Sequence, residues 1–189
     1  METREVRIAV TGTHGIGKTT LVEDLVEAGA ELEAVPEPFL VIHSDDAFVD
    51  GPDTDDFEEQ LNQSCDLILE STTGRSLVFD RCPIDFLAYL DVVGKANGFE
   101  WTPSARQLAR IERTMKALDL VIFVPLLDDD EIAGAIEYPK LRRQVNARLK
   151  CIFYDDEFGL FENGPPLLEA FGPREKRVAK VLAGVTTEI

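Results

Sequence analysis

Residues 12–19 read Gly12-Thr13-His14-Gly15-Ile16-Gly17-Lys18-Thr19 and match the pattern G-x-x-x-x-G-K-[ST] in full. An apolar run over residues 6–11 predicts a buried strand before them, and a helical pattern over residues 18–28 follows. Glycines let main-chain N–H groups converge on phosphate oxygens, and the following helix points its positive end at the anion. The sequence therefore predicts a phosphate-binding loop formed by residues 12–19 and extended by Thr20.

Two side chains at the end of this loop carry the expected chemistry. Lys18 reaches the β- and γ-phosphates of a nucleotide, and Thr19 offers its hydroxyl to the Mg²⁺ ion that bridges them. A guanine-reading Asn-Lys-x-Asp motif is missing, which favours ATP over GTP as the bound nucleotide. The segment Asp91-Val92-Val93-Gly94 fits the GTPase pattern D-x-x-G, but it lies inside a predicted helix and is interpreted as coincidence.

Short apolar runs alternate with longer helical patterns, which is typical of a parallel sheet flanked by helices. We predict a single α/β domain over residues 1–189, with three layers, the P-loop NTPase fold, a five-stranded parallel sheet, helices on both faces and a helical lid. The fourth predicted helix is expected to begin at Pro103, with Thr102 as its cap. The predicted strands are 6–11, 31–35, 76–79, 120–124 and 167–171, and the predicted helices are 18–28, 53–73, 83–93, 103–118, 138–154 and 173–182.

The chain is strongly acidic, with 19 basic and 36 acidic residues and a net charge of −17. Such a surface repels the phosphates of nucleic acids and of anionic membranes, so neither is expected as a partner. Solubility and adaptation to high salt both account for the charge. Three widely spaced cysteines and two histidines give neither a disulfide framework nor a zinc-site spacing. The first ten residues lack a leader pattern, so a cytoplasmic protein is expected.

The third predicted strand ends in Asp80, and Arg81 follows it. A carboxylate at the carboxyl end of a strand beside the phosphate-binding loop is placed to hold Mg²⁺. An ATPase that hydrolyses ATP usually has a glutamate at the next position, to activate water. The arginine here instead favours a contact with a transferring or accepting phosphate. A structural ion pair at the edge of the sheet is the alternative.

These motifs together resemble a group of kinases. The phosphate-binding loop, Pro36-Glu37-Pro38 and Asp80-Arg81 are similar to features of thymidylate and deoxynucleoside kinases. A family of ATP-binding kinases allied to nicotinamide riboside kinase is closer still, because its Asp-Arg-x-x-x-Asp pattern matches residues 80–85 and its apolar-Tyr helix matches Leu87–Leu90. The resemblance implies an ATP- and Mg²⁺-dependent phosphotransferase that acts on a nucleoside, a nucleotide or a similar small acceptor.

The resemblance also implies residue roles. Glu37 would be the general base for the acceptor hydroxyl or a ligand of the acceptor sugar, and its place between two prolines at a strand end agrees with either role. The other reading makes Glu37 part of the acidic surface. Asp85 would contact the acceptor, or only cap its helix. Gln60 and Gln63 would read the acceptor base, or would be solvated side chains on one helical face.

The segment Tyr138–Tyr154 contains no acidic residue in a chain where acids abound. Related kinases have a mobile lid at this point of the chain, which we place at about residues 128–150. Arg142 and Arg143 are the predicted lid arginines, with Arg148 next, although the kinase pattern Arg-x-Arg-x-x-Glu is not kept. A basic helix face paired with residues 128–131 is the alternative. The predicted catalytic set is therefore Lys18, Glu37, Asp80, Arg81, Arg142 and Arg143.

Gly172 and Pro173 lie in the predicted loop between the last strand and the last helix. In the kinases that the chain resembles, this loop packs on the adenine of ATP, and a glycine permits close approach. A plain turn is the alternative.

The functional alternative is a nucleotide-binding switch that signals to a protein partner. Dimers are frequent among the similar enzymes, so a homodimer stays open.

Overall fold

The computed structural model describes residues 5–28, 31–38, 54–71, 74–127 and 138–188. Five parallel strands form one sheet in the order β2-β3-β1-β4-β5. The α/β fold with a five-stranded parallel sheet, predicted from the sequence, is confirmed. The strands are β1 (Arg7–Thr11), β2 (Leu32–Val35), β3 (Ser76–Asp80), β4 (Leu120–Phe123) and β5 (Leu167–Glu169).

Helices cover both faces of this sheet, and their bounds lie within three residues of the predicted ones, except that the last helix ends at Glu188 instead of residue 182. Alternating strand residues divide between two cores: Ala9 and Phe79 face one core, whereas Val10 and Val78 face the other. The first core lies under α2 to α5, and the second lies under α1 and α6. The helices are α1 (Lys18–Glu27), α2 (Thr54–Glu70), α3 (Pro83–Ala96), α4 (Ala105–Met115), α5 (Pro139–Tyr154) and α6 (Arg174–Glu188).

The strand order determines where a ligand site lies. β1 occupies the centre of the sheet, with β3 on one side and β4 on the other. The chain leaves β1 toward β2 and β3 and later crosses to β4 on the opposite side, so the crevice above the carboxyl end of β1 lies where the strand order reverses. Ligands of open α/β sheets bind in such a crevice. Residues 12–17 follow β1 at that point.

Two helix predictions need correction. α4 begins at Ala105 rather than Pro103, because Ser104 and Gln107 form a reciprocal capping box that satisfies the first N–H groups. The lid predicted for residues 128–150 is not a separate element over residues 139–150, because that part of α5 contributes Val145 and Leu149 to the core. Residues 128–137 lie outside the described part of the chain. No described helix has the length and apolar character that a membrane span requires.

Candidate active site

The loop between β1 and α1 requires glycine at two positions. Gly12 has a φ of +151°, and a Cβ atom there would lie 2.6 Å from the main-chain oxygen of Val124. Gly17 has a φ of +88° directly before α1. A side chain would clash at the first position and strain the backbone at the second. The loop therefore adopts the close, left-handed path that the motif predicts.

Lys18 is the first residue of α1, and its side chain folds back over the loop. Its Nζ donates to the main-chain oxygen of Thr13 over 3.0 Å, and only 5% of the residue is exposed. Burial, together with the neighbouring Arg81 guanidinium, lowers the pKa of Lys18 to about 8. An anion in the loop would stabilise the charged ammonium, so this lysine is suited to hold phosphate.

Asp80 ends β3 and faces the start of α1. The Thr19 hydroxyl donates to Asp80 Oδ2 over 2.5 Å. The other carboxylate oxygen, Oδ1, is buried and accepts no hydrogen bond from any residue that the structure describes. Burial raises the pKa of Asp80 above its ordinary value. A buried carboxylate oxygen beside a hydroxyl is suited to a cation, and Mg²⁺ usually takes one or two such side chains together with substrate phosphates.

Arg81 leaves β3 in a left-handed conformation, with a φ of +82°. Non-glycine residues rarely hold this conformation unless the surroundings impose it, and such residues cluster at functional sites. The Arg81 N–H donates to the Val10 oxygen over 2.9 Å, and its Nε donates to Glu37 Oε2 over 2.8 Å. The guanidinium also lies 3.6 Å from Asp85 Oδ1 and over the ring of Tyr89. After this turn, the largely buried guanidinium of Arg81 lies at the carboxyl edge of the sheet, between Glu37 and Asp85.

Glu37 follows β2 and lies beside β3 at the same sheet edge. Its side chain is 23% exposed and shares Arg81 with Asp85. Burial raises the pKa of Glu37, but the charge and hydrogen bond of Arg81 outweigh it and hold the pKa below the ordinary value. Glu37 is therefore a charged carboxylate next to the loop, as the sequence predicts. A carboxylate has about four acceptor sites, so the bond to Arg81 leaves room for a hydroxyl donor.

Of the two roles predicted for Asp85, acceptor contact and helix cap, the structure supports the helix cap. It is fully buried, and its Oδ1 accepts from the Gly12 N–H over 2.9 Å while its Oδ2 accepts from the Cys82 N–H over 3.0 Å. Cys82 is the N-cap of α3, so Asp85 caps that helix and ties it to the start of the phosphate-binding loop. Because both oxygens are occupied and inaccessible, we withdraw the acceptor contact.

Tyr89 was missed by the sequence analysis as a site residue. It lies one turn after Asp85 on α3, is 3% exposed, and its hydroxyl accepts from the His14 N–H over 2.9 Å. The same oxygen lies 2.8 Å from His14 Nδ1, and the tyrosine ring stacks on Phe57 of α2. Residues four apart share a helix face, so the spacing of Asp85 and Tyr89 was the available signal.

Only one of the predicted lid arginines meets the loop. Arg142 is buried on α5, where its guanidinium donates to the main-chain oxygens of His14 and Gly15 over 3.0 and 3.2 Å. Arg143 is exposed. Arg148 pairs with Asp91 of α3 over 2.7 Å and with Glu157, so it braces α5 instead of facing the loop.

The loop between β5 and α6, predicted to pack on the adenine of ATP, adjoins the phosphate-binding loop. A cavity of about 230 Å³ lies between them and is lined by Gly17, Thr20, Asp24, Gly172 and Arg177, among others. Arg177 donates to the oxygens of Ile16 and Gly172 over 2.9 and 2.7 Å and so joins the two loops. No local pattern in the sequence indicates Arg177, because its partner Ile16 lies 161 residues away.

The two predicted base-reading glutamines lie on α2. Gln60 is buried with Phe57, Leu61 and Ser64, and Gln63 is half-buried. Phe57 stacks on Tyr89, which reaches His14, so the first half of α2 lies toward the loop. Pro173 precedes α6 beside Gly172. No contact in the described structure tests base reading by either glutamine.

The sequence model of a protein family described as an AAA domain matches residues 7–152. The chain belongs to this AAA domain family. The match spans β1 to α5 and includes every site residue described above except those of the loop before α6 and Arg177 itself. No curated protein sequence matches the chain.

Solved structures share the fold of this AAA domain over nearly its whole length. A NadR protein in complex with NAD and AMP-PNP is 17% identical, with a TM-score of 0.61, over 98% of this chain and 50% of the other. The thymidylate kinase of Candida albicans is 13% identical, with a TM-score of 0.64, over 97% and 92%. The deoxyadenosine kinase of M. mycoides with bound dATP is 12% identical, with a TM-score of 0.63, over 97% and 100%. The chain spans about half the length of the NadR protein. The resemblance predicted from the sequence is confirmed at the level of fold.

Proposed function

We propose that this AAA domain is an ATP- and Mg²⁺-dependent phosphotransferase that transfers a phosphoryl group to a nucleoside, a nucleotide or a similar small acceptor. One observation carries the proposal. Two groups lie beside the phosphate-binding loop. One is Asp80, whose Oδ1 has no hydrogen-bond partner among the described residues, and the other is the Glu37–Arg81 ion pair. The kinase folds found by comparison support it.

The loop binds the triphosphate of ATP through its main-chain N–H groups and through Lys18. The loop's carbonyl oxygens are occupied from outside, because Arg142 binds those of His14 and Gly15 and Arg177 binds that of Ile16. Hydrogen bonds that fix the carbonyls also fix the N–H groups of the same peptide planes. The loop is thus held ready for the anion at little further cost in ordering.

Asp80 and Thr19 would hold Mg²⁺. Among the described residues no group of three or more His, Cys, Asp or Glu side chains forms a metal cluster, so substrate phosphates would complete the coordination. When bound, the ion neutralises charge on the β- and γ-phosphate oxygens. The chain contributes a buried carboxylate and a hydroxyl 2.5 Å apart, fixed at the end of β3 and the start of α1.

Glu37 and Arg81 act on the acceptor side. The acceptor hydroxyl oxygen attacks the γ-phosphorus and forms a new O–P bond, while its proton passes to the Glu37 carboxylate. The bond from the γ-phosphorus to the β,γ-bridging oxygen breaks, and its electron pair stays with that oxygen as ADP leaves. Arg81 holds Glu37 in place over 2.8 Å and adds positive charge near the transferring group. Arg143, exposed near the start of α5, is proposed to close over the phosphates when ATP binds.

Release of ADP, coupled to a dye-linked assay, tests the proposal over nucleosides, nucleoside monophosphates and nicotinamide riboside. At least one acceptor should stimulate ADP release, and Lys18→Ala should abolish it because the loop loses its ammonium group. Glu37→Gln should spare ATP binding and reduce transfer by roughly 100-fold, the usual size of general-base loss. Glu33→Gln, on the exposed side of β2, is the matched control and should transfer normally.

Slow ATP hydrolysis that no acceptor stimulates would contradict the proposal and would favour a nucleotide-binding switch that signals to a protein partner. Unchanged transfer in Glu37→Gln would instead leave the phosphotransferase standing and remove Glu37 from its mechanism. The two failures are separate, because the first concerns the wild-type chain and the second only the variant.

A further inference from the structure

We infer that the acceptor of this AAA domain presents an uncharged hydroxyl, as a nucleoside does, and not a phosphate, as a nucleoside monophosphate does. The inference rests on the proposed function, because it chooses between two acceptor classes that the phosphotransferase leaves open. The distribution of charge around Glu37 carries it.

The donor and the acceptor approach the loop from opposite sides. Gly172, in the loop before α6, and Arg177, on α6, adjoin the phosphate-binding loop on the face that α1 covers, and they line the cavity of about 230 Å³ there. Glu37 and Arg81 lie at the ends of β2 and β3, on the other side of β1. The first half of α2 adjoins them through Phe57, which stacks on Tyr89 with ring centres 4.7 Å apart. The acceptor side is therefore built from β2, β3 and the beginning of α2.

The cations on this side are already neutralised. Arg81 is the guanidinium that contacts Glu37, and Asp85 adds a second carboxylate 3.6 Å away. Lys18 faces the loop and serves the donor phosphates. Three carboxylates, counting Asp80, thus surround two cations before any substrate binds. A second phosphate group would bring two further negative charges to a place where, among the described residues, both cations already face carboxylates.

The distribution of lysine and arginine along the sequence also argues against a phosphate-bearing acceptor. No lysine or arginine occurs between Lys18 and Arg75, a stretch that includes β2, Glu37 and the whole of α2. Four aspartates lie between Glu37 and α2, and α2 begins with two more. Phosphate binding relies on arginine and lysine, which supply charge-assisted donors. Among the described residues at the carboxyl ends of β2 and β3 and in the first half of α2, Arg81 is therefore the one such donor, and it is already paired with Glu37 and Asp85.

Arg110 of α4 does not fill this gap. It pairs with Asp66 in the second half of α2 and donates to Asn62 over 3.0 Å. The carboxyl end of α2 lies beside Arg7 at the start of β1, because Arg7 donates to the main-chain oxygens of Ile68 and Ser71. Arg110 thus contacts the part of α2 that leads toward the amino ends of the strands, whereas the phosphate-binding loop lies at the carboxyl ends.

A hydroxyl fits the same arrangement. One oxygen of Glu37, Oε2, accepts the hydrogen bond from Arg81. A remaining acceptor site of the carboxylate can take up the proton that the acceptor hydroxyl loses as the new O–P bond forms. A monophosphate acceptor would place its charge against this carboxylate, and like charges in a partly buried site repel strongly. Selectivity comes from this repulsion as well as from the new hydrogen bond.

Matched pairs of acceptors test the inference: adenosine against AMP, thymidine against TMP, cytidine against CMP, and nicotinamide riboside against its monophosphate, all with ATP, Mg²⁺ and the full chain. We expect kcat/KM for at least one acceptor with a free hydroxyl to exceed that of its monophosphate by roughly 100-fold. A monophosphate that is as good as its partner, or better, would overturn the inference and leave the phosphotransferase standing. Absence of transfer to every member of all four pairs would overturn both.

A binding measurement adds a readout that is independent of turnover. Titration calorimetry with the preferred monophosphate, in the presence of a non-hydrolysable ATP analogue, compares Glu37→Gln with the control Glu33→Gln. Because Glu37→Gln removes the repelling charge, it should bind the monophosphate about tenfold more tightly than the control does. Equal or weaker binding by a Glu37→Gln protein with a normal melting temperature would contradict the charge argument.

Discussion

Tyr89→Phe isolates a single atom that joins α3 to the phosphate-binding loop. The substitution removes the hydroxyl that accepts from the His14 N–H over 2.9 Å and lies 2.8 Å from the His14 imidazole. The ring remains, so its stacking on Phe57 and its contact with the Arg81 guanidinium are kept. Any change in stability therefore reports the hydroxyl alone.

The magnitude follows from the two His14 contacts and from the Thr13 side chain, which also hydrogen-bonds the Tyr89 hydroxyl. A hydrogen bond contributes about 1 kcal/mol net, and the imidazole contact is discounted because His14 is half-exposed. We expect the free energy of unfolding to fall by about 1–2 kcal/mol, which lowers the melting temperature of a chain of this size by roughly 2–8 °C. Looser positioning of the loop should also weaken ATP binding by a few-fold.

Urea denaturation and calorimetric titration with ATP provide the two measurements. Tyr154→Phe is the matched control, because that tyrosine is exposed and its hydroxyl contacts Glu169 at the surface. The control should change the unfolding free energy by less than about 0.5 kcal/mol. Equal stability of Tyr89→Phe and Tyr154→Phe would refute the account of how α3 holds the loop.

Three further perturbations have defined outcomes. Asp85→Asn should lower the free energy of unfolding by about 2–4 kcal/mol, because a fully buried carboxylate that accepts two main-chain N–H bonds is replaced by a group that can accept only one. A loss below about 1 kcal/mol in urea denaturation would contradict this role of Asp85. Asp80→Asn should weaken ATP binding roughly tenfold in calorimetry with Mg²⁺ and leave binding without Mg²⁺ unchanged, whereas an equal loss under both conditions would speak against a magnesium ligand. At neutral pH a thiol reagent should modify Cys151 alone in the folded chain, because burial raises the pKa of Cys65 and Cys82, and rapid reaction of a second thiol would contradict the packing of the core.

Local signals made the fold and the loop predictable. The loop motif specifies its own conformation, because Gly12 and Gly17 adopt the backbone that only glycine tolerates. Continuous apolar runs identified the three central strands β1, β3 and β4, since strands covered on both faces have no polar side, whereas the edge strands β2 and β5 carry Glu33 and Glu169. Asp80 and Arg81 were found for the same reason, since they come directly after such a run.

The remaining site residues depend on contacts that sequence spacing does not encode. Arg177 joins the two loops across 161 residues, and Tyr89 reaches His14 across 75. Arg142 was predicted near the phosphates and does meet the loop, but at its carbonyl oxygens. Asp85 was expected either to contact the acceptor or to cap its helix, and only the packing of α3 against the loop decides in favour of the cap. Spacing along the chain predicts which residues share a face, but not which atoms meet.

The fate of the γ-phosphoryl group is the most direct test of the central claim. ATP labelled at the γ-phosphorus is incubated with the chain, Mg²⁺ and each acceptor, and the label is then separated into phosphorylated acceptor and inorganic phosphate. The account predicts that the label appears in the phosphorylated acceptor, and that Lys18→Ala shows no such product. Label found only in inorganic phosphate, at the same rate with and without every acceptor, would contradict it.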